Sequence, residues 1–348
     1  IYPTRIDSTY IRFHSIENSA IDTNLMRPSD VGLDYSELSL KTASGELLKG
    51  WYIPTTDTPA NTILIIHDLN QSKLMMLDQI KQLHDRGMHV CIFDLRAHGE
   101  SGGEIFTIGM PAVGDMKLIT DTLLTFLETK HIVLFGMGIG SAIAMQSAVF
   151  DGRCDAIVLQ SPFNNLDTYL SRYSYKKWGN MKYLWYPIFR KKVEKLLEYP
   201  VSDLDLTKIA AFNELPILFI TASDDDEVFT SETLQIFLAS ASQKKDLFLV
   251  KKADHNNIAL VGGEKYYNRI SNFINTVLPR EPKKTRYKKL AFNDYERNNG
   301  QNFRDRPNRG RGWRFCAIKK AWSELSGLMP ISQGEDSFFQ CKSRTKYL

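Results

Sequence analysis

The sequence predicts an α/β protein: a mostly parallel central sheet with helices on both faces. Three observations lead there. Short apolar runs of strand length alternate with longer amphipathic stretches from residue 62 to residue 277, and parallel strands need such crossover helices. The runs are apolar throughout rather than alternating, as buried parallel strands are. The side chains fit for chemistry (His67, Asp94, Ser161, Asp225 and His255), together with Gly138, fall just past or at the last residue of a run, where ligand sites of open α/β sheets lie.

In chain order, residues 1–30 are polar, carry Pro3 and Pro28, and form an irregular arm. Leu33–Thr42 and Glu46–Ile53, joined by Ala43-Ser44-Gly45, make an antiparallel hairpin. A strand follows over Thr62–His67, then a helix over Ser72–Arg86 with Gly87 at its C-terminal cap. The remaining strands are His89–Asp94, His131–Phe135, Asp155–Gln160, Pro216–Thr221 and Asp246–Lys251. The helices between and after them span Val113–Glu128, Ser141–Val149, Ser231–Ala241 and Glu264–Val277.

Residues 164–205 break the alternation. Tyr169, Tyr173, Tyr175, Trp178, Tyr183, Trp185, Tyr186 and Phe189 stand there among lysines and arginines. The stretch reads as a short helical lid over the strand ends. Its aromatics either pack it to the body or line an apolar pocket, and its basic residues form a solvated face.

Residues 281–348 lose all periodicity. They hold 16 Lys and Arg against 7 Asp and Glu, a net +9, which leaves −5 for residues 1–280 of a chain whose total is +4. The composition, with Arg304-Asp305-Arg306-Pro307-Asn308-Arg309-Gly310-Arg311-Gly312, is that of a disordered tail. Arg-Gly segments bind single-stranded nucleic acid through phosphates and stacking, so nucleic acid is the minor reading and a solvated tail the main one.

The four cysteines, Cys91, Cys154, Cys316 and Cys341, have no C-x-x-C spacing and read as reduced and packed. No zinc-like Cys/His cluster is present, so neither a metal nor another cofactor is expected. No run reaches the ~18 apolar residues of a membrane helix. The expectation is a cytoplasmic protein; membrane anchoring would require a segment ahead of Ile1.

The most informative stretch is Phe135-Gly136-Met137-Gly138-Ile139-Gly140-Ser141. A strand runs into a glycine-rich turn and then a small-residue helix. That is the layout of the nucleophile elbow, G-x-S-x-G, in which a tight turn lifts a serine beside the first N–H groups of the helix. Here the central residue is Gly138. Downstream, Asp224-Asp225-Asp226 follows one strand and His255 another, giving the order nucleophile position, acid, base.

With those motifs, and with Ile65-Ile66-His67-Asp68-Leu69-Asn70-Gln71-Ser72 and Phe93-Asp94-Leu95-Arg96-Ala97-His98-Gly99-Glu100-Ser101-Gly102-Gly103, the chain from Leu33 to Leu278 resembles the α/β-hydrolase superfamily in its serine-aminopeptidase-like and esterase-like branch. The resemblance implies a triad at Gly138, Asp225 and His255, and oxyanion N–H donors at Leu69 and Ile139. It implies scaffold roles for His67, Asp94 and His98. Ser141 matches a small packing residue of the elbow and is not a substitute nucleophile.

Two residues depart from the family pattern. Asp68 stands where glycine is usual, and its carboxylate repels a developing oxyanion if it points inward. Gly138 supplies no oxygen for an acyl-enzyme. The reading is therefore a hydrolase homologue whose serine-dependent activity is impaired or absent and which acts by binding a partner or a small apolar ester-like or acyl ligand. Two alternatives stand beside it: a weak carboxylic-ester hydrolase using a His255-activated water, and a nucleic-acid-associated protein acting through residues 281–348.

Overall fold

A computed structural model of the protein describes residues 26–278, apart from 57, 58, 107, 127 and 198. Most of the expected N-terminal arm and all of the basic tail, with Cys316 and Cys341, lie outside the described residues.

Eight strands form one sheet: β1 (Ser36–Lys41), β2 (Leu47–Ile53), β3 (Ala60–Ile66), β4 (His89–Phe93), β5 (Thr129–Met137), β6 (Ala156–Gln160), β7 (Ile217–Ala222) and β8 (Lys245–Val250). Their spatial order is β1-β2-β4-β3-β5-β6-β7-β8. The β1–β2 and β2–β4 pairs are antiparallel, and every later pair is parallel. The predicted class and the predicted edge hairpin are therefore both present.

Side chains alternate across this sheet into two cores, because successive Cβ atoms of a strand point to opposite faces. Leu64, Ile66 and Leu134 face the helices Met110–Leu123 and Ile139–Phe150. Ile63, Ile65, Val133 and Phe135 face Leu77–His84 and Ile258–Val277. Strands covered on both sides have no polar face to show, hence the unbroken apolar runs in the sequence. Cys91 and Cys154 are free and buried, and burial pushes both thiols up.

Several boundaries differ from expectation. The single helix expected over Ser72–Arg86 begins as a tight 3₁₀ turn, Lys73–Met76, before the α-helix Leu77–His84. Its first turn is held by Lys73, whose backbone N–H and Nζ bond Asp94 at 2.8 and 2.6 Å. The last helix begins at Ile258 rather than Glu264 and breaks at Gly263 (φ +49°, ψ −139°); the Gly262-Gly263 pair hid that first turn. The helix after β4 spans Met110–Leu123, starting three residues before the expected Val113, with Pro111 in its first turn, and ending five residues before Glu128. A short helix, Leu206–Ala210, was not anticipated.

The segment after β6 forms two helices, Leu166–Trp178 and Lys182–Leu197. Asn165 caps the first by accepting from the N–H groups of Asp167 and Thr168. Tyr169 and Phe189 are buried, and Trp178, Trp185 and Tyr186 pack on the same core, so most of these aromatics fasten the segment to the body. Tyr175 and Tyr183 are exposed. Arg172 and Lys176 tie the first helix to the loop after β7, through the Glu227 carbonyl and the Asp226 carboxylate, and Arg172 also pairs with Glu232 in the next helix, Thr230–Ala239.

Candidate functional site

The site lies at the carboxyl ends of β3, β5, β6, β7 and β8. At its centre the chain turns from β5 into the helix Ile139–Phe150 at Gly138, with φ +50° and ψ −114°. That backbone is strained for any residue with a Cβ. The turn is also crowded underneath: a Cβ on Gly136 would meet the Gly140 carbonyl carbon at 2.6 Å, and one on Gly140 the Ile66 carbonyl oxygen at 2.1 Å. The helix starts at Ile139, two residues earlier than expected, so the Ile139 N–H is one of its free first donors. Ser141 is fully buried and its hydroxyl lies 2.8 Å from the Gly136 carbonyl and 2.7 Å from that of Gln160. It braces the underside of the turn and does not face the site.

Asp225, beyond β7, is fixed on every side. Its Oδ1 accepts from the N–H groups of Glu227 (2.9 Å) and Val228 (2.7 Å), and its Oδ2 from Ser161 Oγ (2.8 Å). That Oδ2 also lies 2.8 Å from Nδ1 of His255, beyond β8. Burial alone would raise the Asp225 pKa, but the bonds from His255, Val228 and Ser161 and the imidazolium charge hold it below the ordinary carboxylate range. The sequence placed Ser161 at a strand end but gave no sign of this bond. Its backbone is left-handed, φ +46°, which aims Oγ at Asp225.

Asp68 is the unexpected member. Its carboxylate turns inward. Oδ1 accepts from the N–H groups of Leu69 and Ile139, both at 2.7 Å, and these are the two donors expected to form an oxyanion hole. Oδ2 lies 2.9 Å from His255 Nε2. A Cβ built on Gly138 would stand 2.1 Å from that same oxygen. One carboxylate thus occupies both the Leu69 and Ile139 N–H pair and the space that a side chain on Gly138 would need.

Two histidines hold the Asp68 loop. His67 Nδ1 donates to the Asp68 carbonyl (2.8 Å), leaving Nε2 to accept from Leu95 N–H (2.9 Å). His98 Nδ1 lies 3.0 Å from the Arg96 carbonyl, and its Nε2 accepts from Asn70 N–H (3.3 Å). The rings meet edge-on at 5.0 Å. Burial lowers the His67 pKa, which keeps the ring in the neutral form these bonds require. Below them, Asp94 pairs with the fully buried Lys73 at 2.6 Å.

His255 therefore sits between two carboxylates. Burial works against its charge, but the bonds and charges of Asp225 and Asp68 outweigh it and raise its pKa well above the ordinary histidine value. Both carboxylates thus favour the imidazolium form of His255. In a serine triad the resting histidine must be neutral to accept the serine proton.

The structure thus brings Gly138, Asp225, His255, Leu69 and Ile139 to one place. The chain has the α/β-hydrolase fold, and the serine aminopeptidase (S33) family model matches residues 57–207. Among individual proteins, it is 25% identical to the uncharacterised protein YqkD of Bacillus subtilis over 248 residues, covering 68% of this chain and 78% of YqkD. It is 22% identical to the protein bem46 of Schizosaccharomyces pombe, covering 72% and 80% of the two chains. Among solved structures, the Pyrococcus furiosus esterase Pf2001 superposes with a TM-score of 0.60 at 24% identity, covering 72% of this chain and 95% of the esterase. A Saccharomyces cerevisiae relative named as a membrane protein, YNL320W, is 22% identical and covers 71% of this chain and 82% of its own length. No helix among the described residues is long and apolar enough to cross a membrane.

Proposed function

We propose that this chain is an α/β-hydrolase-fold protein without serine-dependent acyl transfer, whose assembled site acts by binding a small apolar ester-like or acyl ligand or a partner. The observation that carries this reading is the Asp68 carboxylate, bonded to the Leu69 and Ile139 N–H groups and to His255 beside a glycine at the elbow. Gly138 offers no oxygen to attack an acyl carbon. The two N–H groups that would stabilise the oxyanion of an ester are already spent on Oδ1.

The same contact argues against direct hydrolysis of an ester by a His255-activated water. Nε2 is the atom that would take the water's proton, and it faces Asp68 Oδ2 as a donor. A carboxylate at the hole also repels the charge that must develop there. Loss of the serine alone costs ~10⁶-fold in kcat in a well-studied serine protease.

Fluorophosphonate labelling of the native full chain tests the reading. No covalent label and no ester turnover above buffer are expected, and labelling at any residue of the site would overturn it. The binding role is read separately by thermal shift with non-hydrolysable acyl ligands, since a ligand at 100 times its Kd stabilises by ~2.7 kcal/mol.

A further inference from the structure

We propose that the outer face of the helix Lys182–Leu197, with the turn before it, docks on an anionic lipid bilayer: its exposed apolar side chains enter the acyl boundary and its lysines stay at the headgroups. The inference draws nothing from Gly138 or Asp68 and stands or falls separately from the binding role above. Charge, exposure and helical register carry it together.

From Tyr169 to Val193 the chain holds seven Lys and Arg and no Asp or Glu, a net +7, which leaves net −12 for the rest of residues 1–280. Part of that charge is used inward. Arg172 and Lys176 pair with acids of the body, and Arg190 with Asp167 and Glu194. Lys191 and Lys195 are exposed and pair with no acid among the described residues. A basic face on an acidic body selects an anionic partner. It also repels residues 281–348, whose own net charge is +9, so the tail is not its occupant.

Register separates the two sides of the helix. Phe189 and Val193, four residues apart, are buried and hold it to the body. Leu184, Ile188, Lys191 and Lys195 fall on the opposite side at helical spacing, and all four are exposed. That stripe is apolar at its first end and basic at its last, over roughly 16 Å of helix. Met181 and Tyr183 extend the apolar end; Tyr183 is 75% and Leu184 64% exposed. Lys182 Nζ lies 5.2 Å from the centre of the Tyr175 ring and 5.3 Å from that of Tyr183. Exposed tyrosines bracketing an ammonium suit the boundary of a membrane, where the ring body meets lipid and the charge meets phosphate. A nucleic acid would use the lysines but leave Leu184 and Ile188 in water, whereas a bilayer covers both kinds of side chain.

The experiment is co-sedimentation of the full chain with phosphatidylcholine vesicles containing ~30% phosphatidylserine, an anionic surface of the kind that attracts lysines. Native protein should bind these vesicles and bind pure phosphatidylcholine far more weakly. A lysine near such a surface contributes about fivefold in affinity, from ~1 kcal/mol, so Lys191→Gln with Lys195→Gln should weaken binding ~25-fold. Leu184→Ser with Ile188→Ser leaves the charge unchanged and should weaken binding at least ~10-fold through lost apolar burial. Leu238→Ser, at a position 75% exposed on the helix Thr230–Ala239, should bind as the native chain does. These positions are all on the surface, so each variant should keep its Tm within a few degrees of native. The tail is identical in every variant, and its own attraction to the vesicles cancels from the comparison. Native affinity in both double variants would overturn the proposal. So would a dimer that Leu184→Ser with Ile188→Ser dissolves while vesicle binding stays as it was, or single-stranded RNA binding that the lysine pair controls while vesicle binding does not respond. None of these results bears on the fluorophosphonate test, and a labelled native chain would leave this proposal standing.

Discussion

A serine introduced at Gly138 should fail unless Asp68 is removed with it. In Gly138→Ser the new Cβ would stand 2.1 Å from Oδ2 and 2.2 Å from Cγ of Asp68, against an ordinary contact distance of about 3.5 Å. The carboxylate must withdraw, giving up its bonds to the Leu69 and Ile139 N–H groups and to His255. Bonds to a charged group contribute ~1.5–3 kcal/mol each, and the φ of +50° adds ~1–3 kcal/mol for a residue with a side chain. Allowing for partial replacement by water, the single variant should lose at least ~4 kcal/mol, or ~10 °C in Tm for a core of this size. Asp68→Gly combined with Gly138→Ser removes the collision, empties the N–H pair, and leaves His255 with Asp225 as its one carboxylate partner in the triad. That double variant should fold, bind fluorophosphonate covalently, and hydrolyse p-nitrophenyl acetate at least ~10³-fold faster than native, a part of the ~10⁶ a triad serine can contribute. Differential scanning fluorimetry and active-site labelling of the three proteins decide the matter. A Gly138→Ser single variant with native Tm, labelling as fast as the double variant, would mean that Asp68 does not occupy the elbow space.

Three further outcomes are expected. His255 carries a raised folded-state pKa, so its contribution to stability is complete below ~6.5 and is lost as pH climbs through the folded value; Asp68→Asn, by removing one anionic partner, should move the His255 transition to lower pH in an NMR titration. An unchanged transition would exclude the Asp68 contact. Lys73→Met strands the buried Asp94 carboxylate and should cost ~3–5 kcal/mol in urea unfolding, whereas loss of an exposed pair such as Lys81–Asp85 should cost under ~1 kcal/mol; equal costs would contradict the burial of the first pair. Ser161→Ala removes one donor from Asp225 and should cost ~1 kcal/mol, measured as a shifted urea midpoint, with the Asp225–His255 contact retained in the His255 NMR titration.

The fold was legible because its signal is periodic and local. Strands such as Ile63–Ile66 and Val133–Phe135 are apolar on both faces, and only a sheet covered on two sides asks for that. The two core layers follow from that alternation alone. Helix starts were harder. The turn at Ile258 was hidden by Gly262-Gly263, and the 3₁₀ turn at Lys73 depends on Asp94, twenty-one residues away. Both misplacements have one cause: a partner or a backbone break that local propensity does not register.

The candidate site divides the same way. Gly138, Asp225 and His255 could be found from sequence because each follows a strand, and strand ends of a parallel sheet share an edge. The absence of a serine oxygen at Gly138 is likewise a fact of the sequence. Asp68 stood out as a departure, and the sequence could say only what an inward carboxylate would do. Its direction was settled by contacts to Ile139 and His255, 71 and 187 residues distant, with His67 and His98 pinning the loop from behind. A side chain's direction depends on which donors the fold brings within ~3 Å, and composition and periodicity carry no such information. The sequence alone determined that the elbow carries glycine at 138; only the tertiary structure decided that the Asp68 carboxylate lies where a side chain on Gly138 would stand.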